Sequence, residues 1–444
     1  LKTLQEGETD LNAHFIALEA KAKSRMQQDG FTANQLVTRH KIVFLRYAGQ
    51  EAVIEVPFRQ HGMNRVFRKL YARMYGSVLD RAIEIESIRV VIAAPPPSLR
   101  LQQRKTVASK PTPVAKQPMG THGSAAVYHW EKLKAGAIIH GPALVFSSNS
   151  TTVVDSGWKF ILDAAGNAML RRTVPLSRTH AVHSDAAKLE LFTNRFTAIA
   201  QEMGALLQRA SFSVNVKERL DFSCALLDPA GRLVVNAPHI PVHLGSLGVC
   251  VREVVRTIRP REGDVIITNH PAFGGSHLPD VTLIKPVYHR HQLVGYVANR
   301  AHHAEIGGRE PGSMPADATS LQEEGVIIEP TWLVKKGKPL WSKIRRVLLS
   351  GPYPSRSVEE NLADLRGALA AIEFGDEALQ SLCAQASRRE VVTQMERLRQ
   401  HAASMLRNQL KELPSIKRQA IERLDDGSVL KVAVQKARGR LTID

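Results

Sequence analysis

His277 and Asp280, three residues apart, and the tandem pair His302 and His303 further along are the residues of this chain best suited to chemistry. Two imidazoles and a carboxylate drawn from two nearby segments make a three-donor set that leaves positions on a metal open to water or substrate. The expectation is a metal held by His277, Asp280 and His302, with Mn, Fe and Zn all compatible with such donors. A lone histidine in a loop more often caps a turn. Three donors bracketed by Gly274-Gly275 and Gly307-Gly308 favour a metal site, the glycines being read as points where backbone approaches a ligand closely.

The elements needed to bring these residues together are present. The stretch from Gly274 to Asp280 carries Pro279 and reads as a tight, non-helical turn. The runs 281–287 and 292–297 read as two strands around His289-Arg290-His291, which returns the chain so that His302 lies near His277. A strand at Val265–Thr268 delivers Asn269-His270-Pro271 to a loop at its end. Other polar groups have two readings each. The stretch Lys217-Glu218-Arg219-Leu220-Asp221 is a salt-bridged surface turn or a substrate contact. His239 and His243 flank Pro241 and line a site or pack beneath a loop; Gly245 favours His243. Glu323-Glu324 offers paired carboxylates or a solvated loop, while Asn361 and Asp364 reach the site or decorate their helix.

Along the rest of the chain, a helix is expected over 11–28, a hairpin from 42–46 and 52–56, a helix over 66–74 and a strand over 84–94. Proline, lysine, serine and glycine dominate 95–124, which reads as a loop or linker, and short strands follow over 138–170. From Leu189 apolar residues recur at steps of three and four through Ala210, a core stripe of a helix. Strands at 224–227 and Leu233–Asn236 come next, and after Ser357 the pattern turns helical before a last β segment at 429–434.

With 444 residues and 43% hydrophobic content the chain has material for two or three domains. The three cysteines form no CxxC pair, which argues against a disulfide framework or zinc knuckle and fits a reducing cytoplasm. No apolar run approaches membrane-spanning length. The net charge of +18 raises the question of nucleic acid, yet aromatics are 5% and do not interleave with the basic runs, so no specific nucleic-acid partner is expected. The charge is read as solvated surface or an interface with absent acidic segments, and attraction of a carboxylate substrate is a third, compatible use.

The ordered motifs carry a resemblance. Asn269-His270-Pro271-Ala272-Phe273-Gly274-Gly275-Ser276-His277-Leu278-Pro279-Asp280, His302-His303-Ala304-Glu305-Ile306-Gly307-Gly308 and Pro311-Gly312-Ser313-Met314 resemble the hydantoinase B/oxoprolinase family. So do Lys217-Glu218-Arg219-Leu220-Asp221-Phe222-Ser223 and Ile240-Pro241-Val242-His243-Leu244-Gly245-Ser246 upstream. The Asn-His-Pro form is similar to the 5-oxoprolinases. Gly141-Pro142-Ala143-Leu144-Val145, Ser150-Thr151-Thr152-Val153-Val154, Gly157-Trp158 and Gly166-Asn167 resemble the C-terminal end of a hydantoinase A part, and A-type running into B-type is the arrangement of fused 5-oxoprolinases.

The resemblance implies an α+β, multi-domain chain: a small mixed α/β N-terminal portion over 1–178 joined to a mixed α/β hydantoinase B-type domain over 179–444. It implies ATP-dependent opening of 5-oxo-L-proline to L-glutamate, or of a related cyclic amide, by an enzyme that is homo-oligomeric when complete. Hydantoinase or acetone carboxylase-like sister activities, and a non-catalytic remnant, stay open as alternatives. No GxxxxGK[ST] phosphate loop occurs, so ATP and Mg are expected on a missing A-type nucleotide-binding segment, and both ends read as cut from a larger enzyme. Substrate-binding roles are implied for Arg219, Asp221, His243, Asn269 and His270, and proton-transfer or supporting roles for His303 and Glu305. Glu305 departs from the family's usual Asp, which keeps it out of the metal's own ligand set.

Overall fold

A computed structural model describes residues 2–76, 78–95, 106–118, 123–174, 185–237, 240–313, 315–437 and 439–444. The chain divides by packing into two units, Leu1–Ala93 with Asp185–Asp444, and Ala94–Ser184. The first 93 residues belong to one unit with 185–444, whereas the boundary read from the sequence stands at 178. The mixed α/β character expected from the sequence is present in the larger unit, whereas the described residues of the second unit are built from strands.

In the larger unit the chain begins with strand β1 (Lys2–Thr3), helix α1 (Leu4–Gln28), β2 (Val37–Tyr47), β3 (Ile54–Pro57), α2 (Met63–Tyr75) and β4 (Ile83–Ala93). The strands form a sheet in the order β1-β4-β2-β3. Phe15 of α1 and Met63, Phe67 and Tyr71 of α2, spaced four apart so that they share a face, are buried against Val43, Leu45 and Val56. Ala210, Phe212, Ala363 and Ala370 from the distant half of the sequence belong to the same core. Gln50 reinforces this junction, donating to the Tyr71 hydroxyl at 2.8 Å and to the Ala210 carbonyl at 3.0 Å.

The second unit holds β5 (Ala115–Pro118), β6 (Ser124–His129), β7 (Ile138–His140), β8 (Ala143–Phe146), β9 (Thr151–Val154), β10 (Trp158–Leu162) and β11 (Ala168–Arg172). They form two sheets, β5-β6-β8-β9 and β11-β10-β7, around Ile139, Val145, Phe160 and Leu162. Here the reading of 95–124 as loop needs correction, since 115–118 pairs with β6. An edge strand with every side chain in water needs no apolar pattern, so composition did not reveal it.

The remainder of the larger unit runs α3 (Asp185–Ala210), α4 (Val214–Lys217), β12 (Phe222–Leu227), β13 (Leu233–Asn236), α5 (Pro241–Ile258), β14 (Val265–Thr268), β15 (Asp280–His289) and β16 (Gln292–His302). Then come α6 (Leu321–Glu324), β17 (Thr331–Lys335), β18 (Lys338–Pro339), α7 (Trp341–Leu348), α8 (Val358–Ala386), α9 (Arg388–Glu412), and a three-stranded sheet of β19 (Ile416–Arg423), β20 (Val429–Ala437) and β21 (Arg440–Ile443). Seven strands make an antiparallel sheet ordered β13-β12-β16-β15-β14-β17-β18. Its two faces follow the strand period of two. Cys224 and Leu226 pack with α3, α8 and α9, whereas Ala225 and Leu227 pack with Leu247, Cys250, Val251 and Val254 of α5. Burial on both sides explains why β12 is apolar without alternation.

Helix α5 was not foreseen. Its start holds Pro241, which suits a first helical position, but Gly245, Ser246 and Gly248 weaken helix propensity, and only packing against the sheet secures it. No helix among the described residues is long and apolar enough to cross a membrane.

Candidate metal centre

Antiparallel register builds the site. Asp280 opens β15 directly opposite His302, the last residue of β16, and the His302 amide donates to the Asp221 carbonyl just before β12. Asp221, His302 and Asp280 therefore lie in one row across three strands, and Ser223, Arg300 and Thr282 in the next. Both rows face α5, whose first turn brings His243 against Asp280. The turn before β15 carries His277 back over the row, and the Asp280 amide donates to the His277 carbonyl at 3.1 Å.

Three donor atoms converge there. His277 Nε2 lies 3.0 Å from His302 Nδ1, and each lies 3.3 Å from Asp280 Oδ1. Ligand bonds of roughly 2.0–2.2 Å at angles between octahedral and tetrahedral would place donors about 2.8–3.6 Å apart, so the spacing fits one shared cation. Asp280 Oδ1 is buried and has no hydrogen-bond partner of good geometry, although both imidazole nitrogens stand 3.3 Å away. A carboxylate oxygen shut from water without a donor is costly, and a cation at the common focus relieves that cost. Among the described residues no other His, Cys, Asp or Glu group converges in this way.

The remaining Asp280 oxygen has a different environment. Oδ2 lies 3.2 Å from His243 Nε2, and His243 Nδ1 lies 3.1 Å from Ser223 Oγ. With the serine hydroxyl donating to Nδ1, Nε2 carries the proton and donates to Asp280, which fixes the carboxylate's orientation. Burial alone would raise the Asp280 pKa, but His243, His277 and His302 outweigh it and hold the carboxyl well below the usual range. The same carboxylate raises His277 above an ordinary imidazole, against burial that lowers it. Asp280 and His243 are sealed from solvent, whereas 30% of the His277 side chain and 15% of His302 open to a cavity of about 370 Å³. Asp221 and Ser276 also line that cavity, with Ile240 and Val242. Larger hollows lie against α1 and between α3 and α9, away from the triad.

Several sequence expectations are placed elsewhere. Asn269 is tied to backbone: it donates to the Leu278 and Val326 carbonyls at 2.8 and 2.9 Å and accepts from the Ile328 amide at 2.7 Å, so both of its amide protons are used. His270 caps its own turn, accepting from the Ala272 amide at 3.1 Å. Arg219 is exposed and outside the cavity lining. His303 points to the opposite face from His302, as successive strand residues must, and bonds Asn361 Oδ1 at 2.7 Å. Glu305 accepts from the Gly307 and Ser357 amides at 2.8 and 2.9 Å and from the Ser355 hydroxyl. These donors hold its pKa below the ordinary value although burial alone would raise it. Glu305 thus ties the loop before α8, and none of its hydrogen bonds goes to His277, Asp280 or His302. Asp364 accepts from the Phe212 and Ser213 amides, and Glu323 from its own turn at Thr319. His239 and Met314 lie outside the described residues.

The glycine pairs also serve protein contacts. A Cβ on Gly274 would lie 2.7 Å from the Cys250 amide nitrogen, and one on Gly275 2.8 Å from the Asn269 carbonyl. Gly307 and Gly308 meet the Tyr353 and Glu324 carbonyls in the same manner, so close approach is to protein backbone and not to ligand. Ser223, Thr282 and Arg300 were missed, although the alternation Asp280-x-Thr282 and Arg300-x-His302 marks them as sharing the ligands' face.

The geometry coincides with family relationships. A family model for hydantoinase B/oxoprolinase matches residues 185–444, and one for the hydantoinase/oxoprolinase C-terminal domain matches residues 2–170. The chain belongs to the hydantoinase B/oxoprolinase family. It is 35% identical over 389 residues to 5-oxoprolinase of Dictyostelium discoideum, covering 85% of this chain and 30% of that protein. It is 33% identical over 467 residues to 5-oxoprolinase 1 of Arabidopsis thaliana, covering 96% and 36%. The ATP-dependent caprolactamase of Pseudomonas jessenii is similar in structure, with a TM-score of 0.54 and 25% identity over 58% of this chain and 45% of that one. The chain thus spans about a third of the length of these curated 5-oxoprolinases.

Proposed function

We propose that this chain supplies the hydrolytic half of an ATP-dependent cyclic amide hydrolase that opens 5-oxo-L-proline to L-glutamate in a reducing, cytoplasmic setting. One observation carries the reading: Asp280 Oδ1, His277 Nε2 and His302 Nδ1 meet at 3.0–3.3 Å on the wall of an open cavity. The 5-oxoprolinase relatives and the caprolactamase support a lactam as substrate class. His277, Asp280 and His302 would hold a divalent Mn, Fe or Zn ion. When bound, such an ion supplies Lewis acidity toward the reacting oxygen atoms.

The chain's own residues do the rest. His243, backed by Ser223, keeps Asp280 ionised and oriented. Asp221, whose Oδ2 stands 3.8 Å from His302 Nδ1 on the cavity wall, is the carboxylate placed to accept a proton from attacking water and return it to the departing ring nitrogen. Ile240 and Val242 present an apolar wall to the lactam ring. Amide resonance makes the uncatalysed opening slow, and activation by ATP would come from an A-type nucleotide-binding segment, since this chain contains no GxxxxGK[ST] loop.

The test is glutamate release from 5-oxo-L-proline with ATP and Mn, measured with the chain alone and with an A-type nucleotide-binding segment added in trans. Activity is expected only in the mixture and should vanish with Asp280→Asn. Release by the chain alone would overturn the division of labour, and preferential hydrolysis of hydantoin would move the reading to a sister enzyme.

A further inference from the structure

Arg300 is wholly buried, yet its four hydrogen-bond partners are neutral. Nε donates to Thr282 Oγ1 at 2.8 Å, Nη1 to Ser246 Oγ at 2.6 Å and to Ser276 Oγ at 3.4 Å, and Nη2 to the Gly274 carbonyl at 2.8 Å. Cys250 also faces the guanidinium, but burial pushes its thiol pKa up, so it brings no compensating thiolate. Asp280, the nearest acid along the strand pair, turns its oxygens to His243, His277 and His302. Among the described residues no carboxylate pairs with Arg300. Desolvating a guanidinium costs several kcal/mol unless opposite charge or strong hydrogen bonding offsets it.

The charge lies one row behind the triad. Arg300 is two residues before His302 on β16, on the same face, and its partner Ser276 lines the cavity beside His277. Ser276 Oγ receives a guanidinium N–H, which leaves its own proton free to donate outward. Ile240 and Val242 bring the first turn of the 18-residue α5, the positive end of its peptide dipole, to the same wall. A charge-assisted donor, a buried cation behind it and a helix N-terminus all favour an anion at one spot.

We infer that Ser276, polarised by Arg300, is the recognition point for the substrate's carboxylate group, which sits on the loop side of the cavity while the reacting carbonyl faces the triad. Ser276 would touch the ligand, and Arg300 is a positioning residue that acts through it. The identity of the ring rests on the lactam hydrolase reading; the anion site does not.

Three five-membered probes separate the two ideas: 5-oxo-L-proline, 2-pyrrolidinone, which lacks the carboxylate, and cyclopentanecarboxylate, which lacks the lactam. Binding to the Mn-loaded chain is measured by titration calorimetry and ligand-observed NMR. Ser276→Ala should weaken both carboxylates about tenfold or more and leave 2-pyrrolidinone unchanged, since a hydrogen bond to a charged group is lost. Ser276→Thr, which keeps the hydroxyl, should restore carboxylate binding. Arg300→Gln should reproduce the Ser276→Ala pattern if circular dichroism shows it folded; if it does not fold, the two serine variants decide. Equal weakening of all three probes, or carboxylate binding untouched by Ser276→Ala, overturns the inference while leaving the lactam reading in place. Serine-dependent binding of cyclopentanecarboxylate with no lactam preference upholds the anion site and sinks the lactam reading, and no binding of any probe sinks both.

Discussion

At the scale of single residues, the decisive atoms are Asp280 Oδ1 and the two imidazole nitrogens facing it. The purified chain should hold about one divalent transition ion, read by elemental analysis, and a His277→Ala, His302→Ala double variant should hold none. Equal metal content in the two would remove the metal hypothesis. The pH dependence has a definite sign. Asp280 raises the His277 pKa, so protons compete with the ion at this nitrogen; metal retention should be full above that raised value and fall as pH drops through it. Retention independent of pH between mildly alkaline and mildly acidic buffer would argue against His277 as a ligand. All three proposed ligands were legible because metal chemistry demands particular side chains. The surroundings of the two proton-transfer candidates were not legible, since His303 faces away from its neighbour toward Asn361 and Glu305 is engaged by the loop before α8.

Elements owe their placement to a few polar ties that composition does not reveal. Glu305 joins the end of β16 to the start of α8 through backbone amides at 307 and 357, so Glu305→Gln should cost about 2 kcal/mol in denaturant melts and leave metal content unchanged. Lost metal with unchanged stability would return Glu305 to the site. Glu19 ties α1 to β2, contacting Lys23, Lys41 and Thr38 at 2.6–2.8 Å, and these partners lower its pKa to about 2. A depressed carboxylate contributes fully above its unfolded value, near pH 4, and loses the contribution as pH falls toward 2. Glu19→Gln should therefore reduce stability at pH 7 by about 1 kcal/mol, after allowance for solvent screening, and by much less at pH 2. An equal difference at both pH values would show that the ion pairs are not responsible. Strands β14, β15 and β16 were readable from runs of β-branched and apolar residues; α5 was not, since its glycines hide a helix that only the sheet beneath it stabilises.

In the molecule as a whole, the N-terminal 93 residues are bound to the C-terminal part by a shared core and by Gln50. A chain cut once at a protease site engineered between 94 and 184 should still co-elute as one species, and Gln50→Ala should destabilise it by roughly 1–3 kcal/mol, because the Ala210 carbonyl and Tyr71 hydroxyl are left without their buried partner. Separation of the two pieces on gel filtration would contradict this packing. The sequence by itself determined the family, the candidate trio of His277, Asp280 and His302 and the apolar stripes of α3, α8 and α9, because side-chain chemistry and helix periodicity are local properties written in residue type and spacing. Only the tertiary structure decided that Arg300, Ser276 and Ser223 join the site, that Asn269 and Glu305 serve the backbone, and that the first and last segments share a core. Those outcomes depend on strand register and on which donors meet across long stretches of sequence, and no local pattern carries that information.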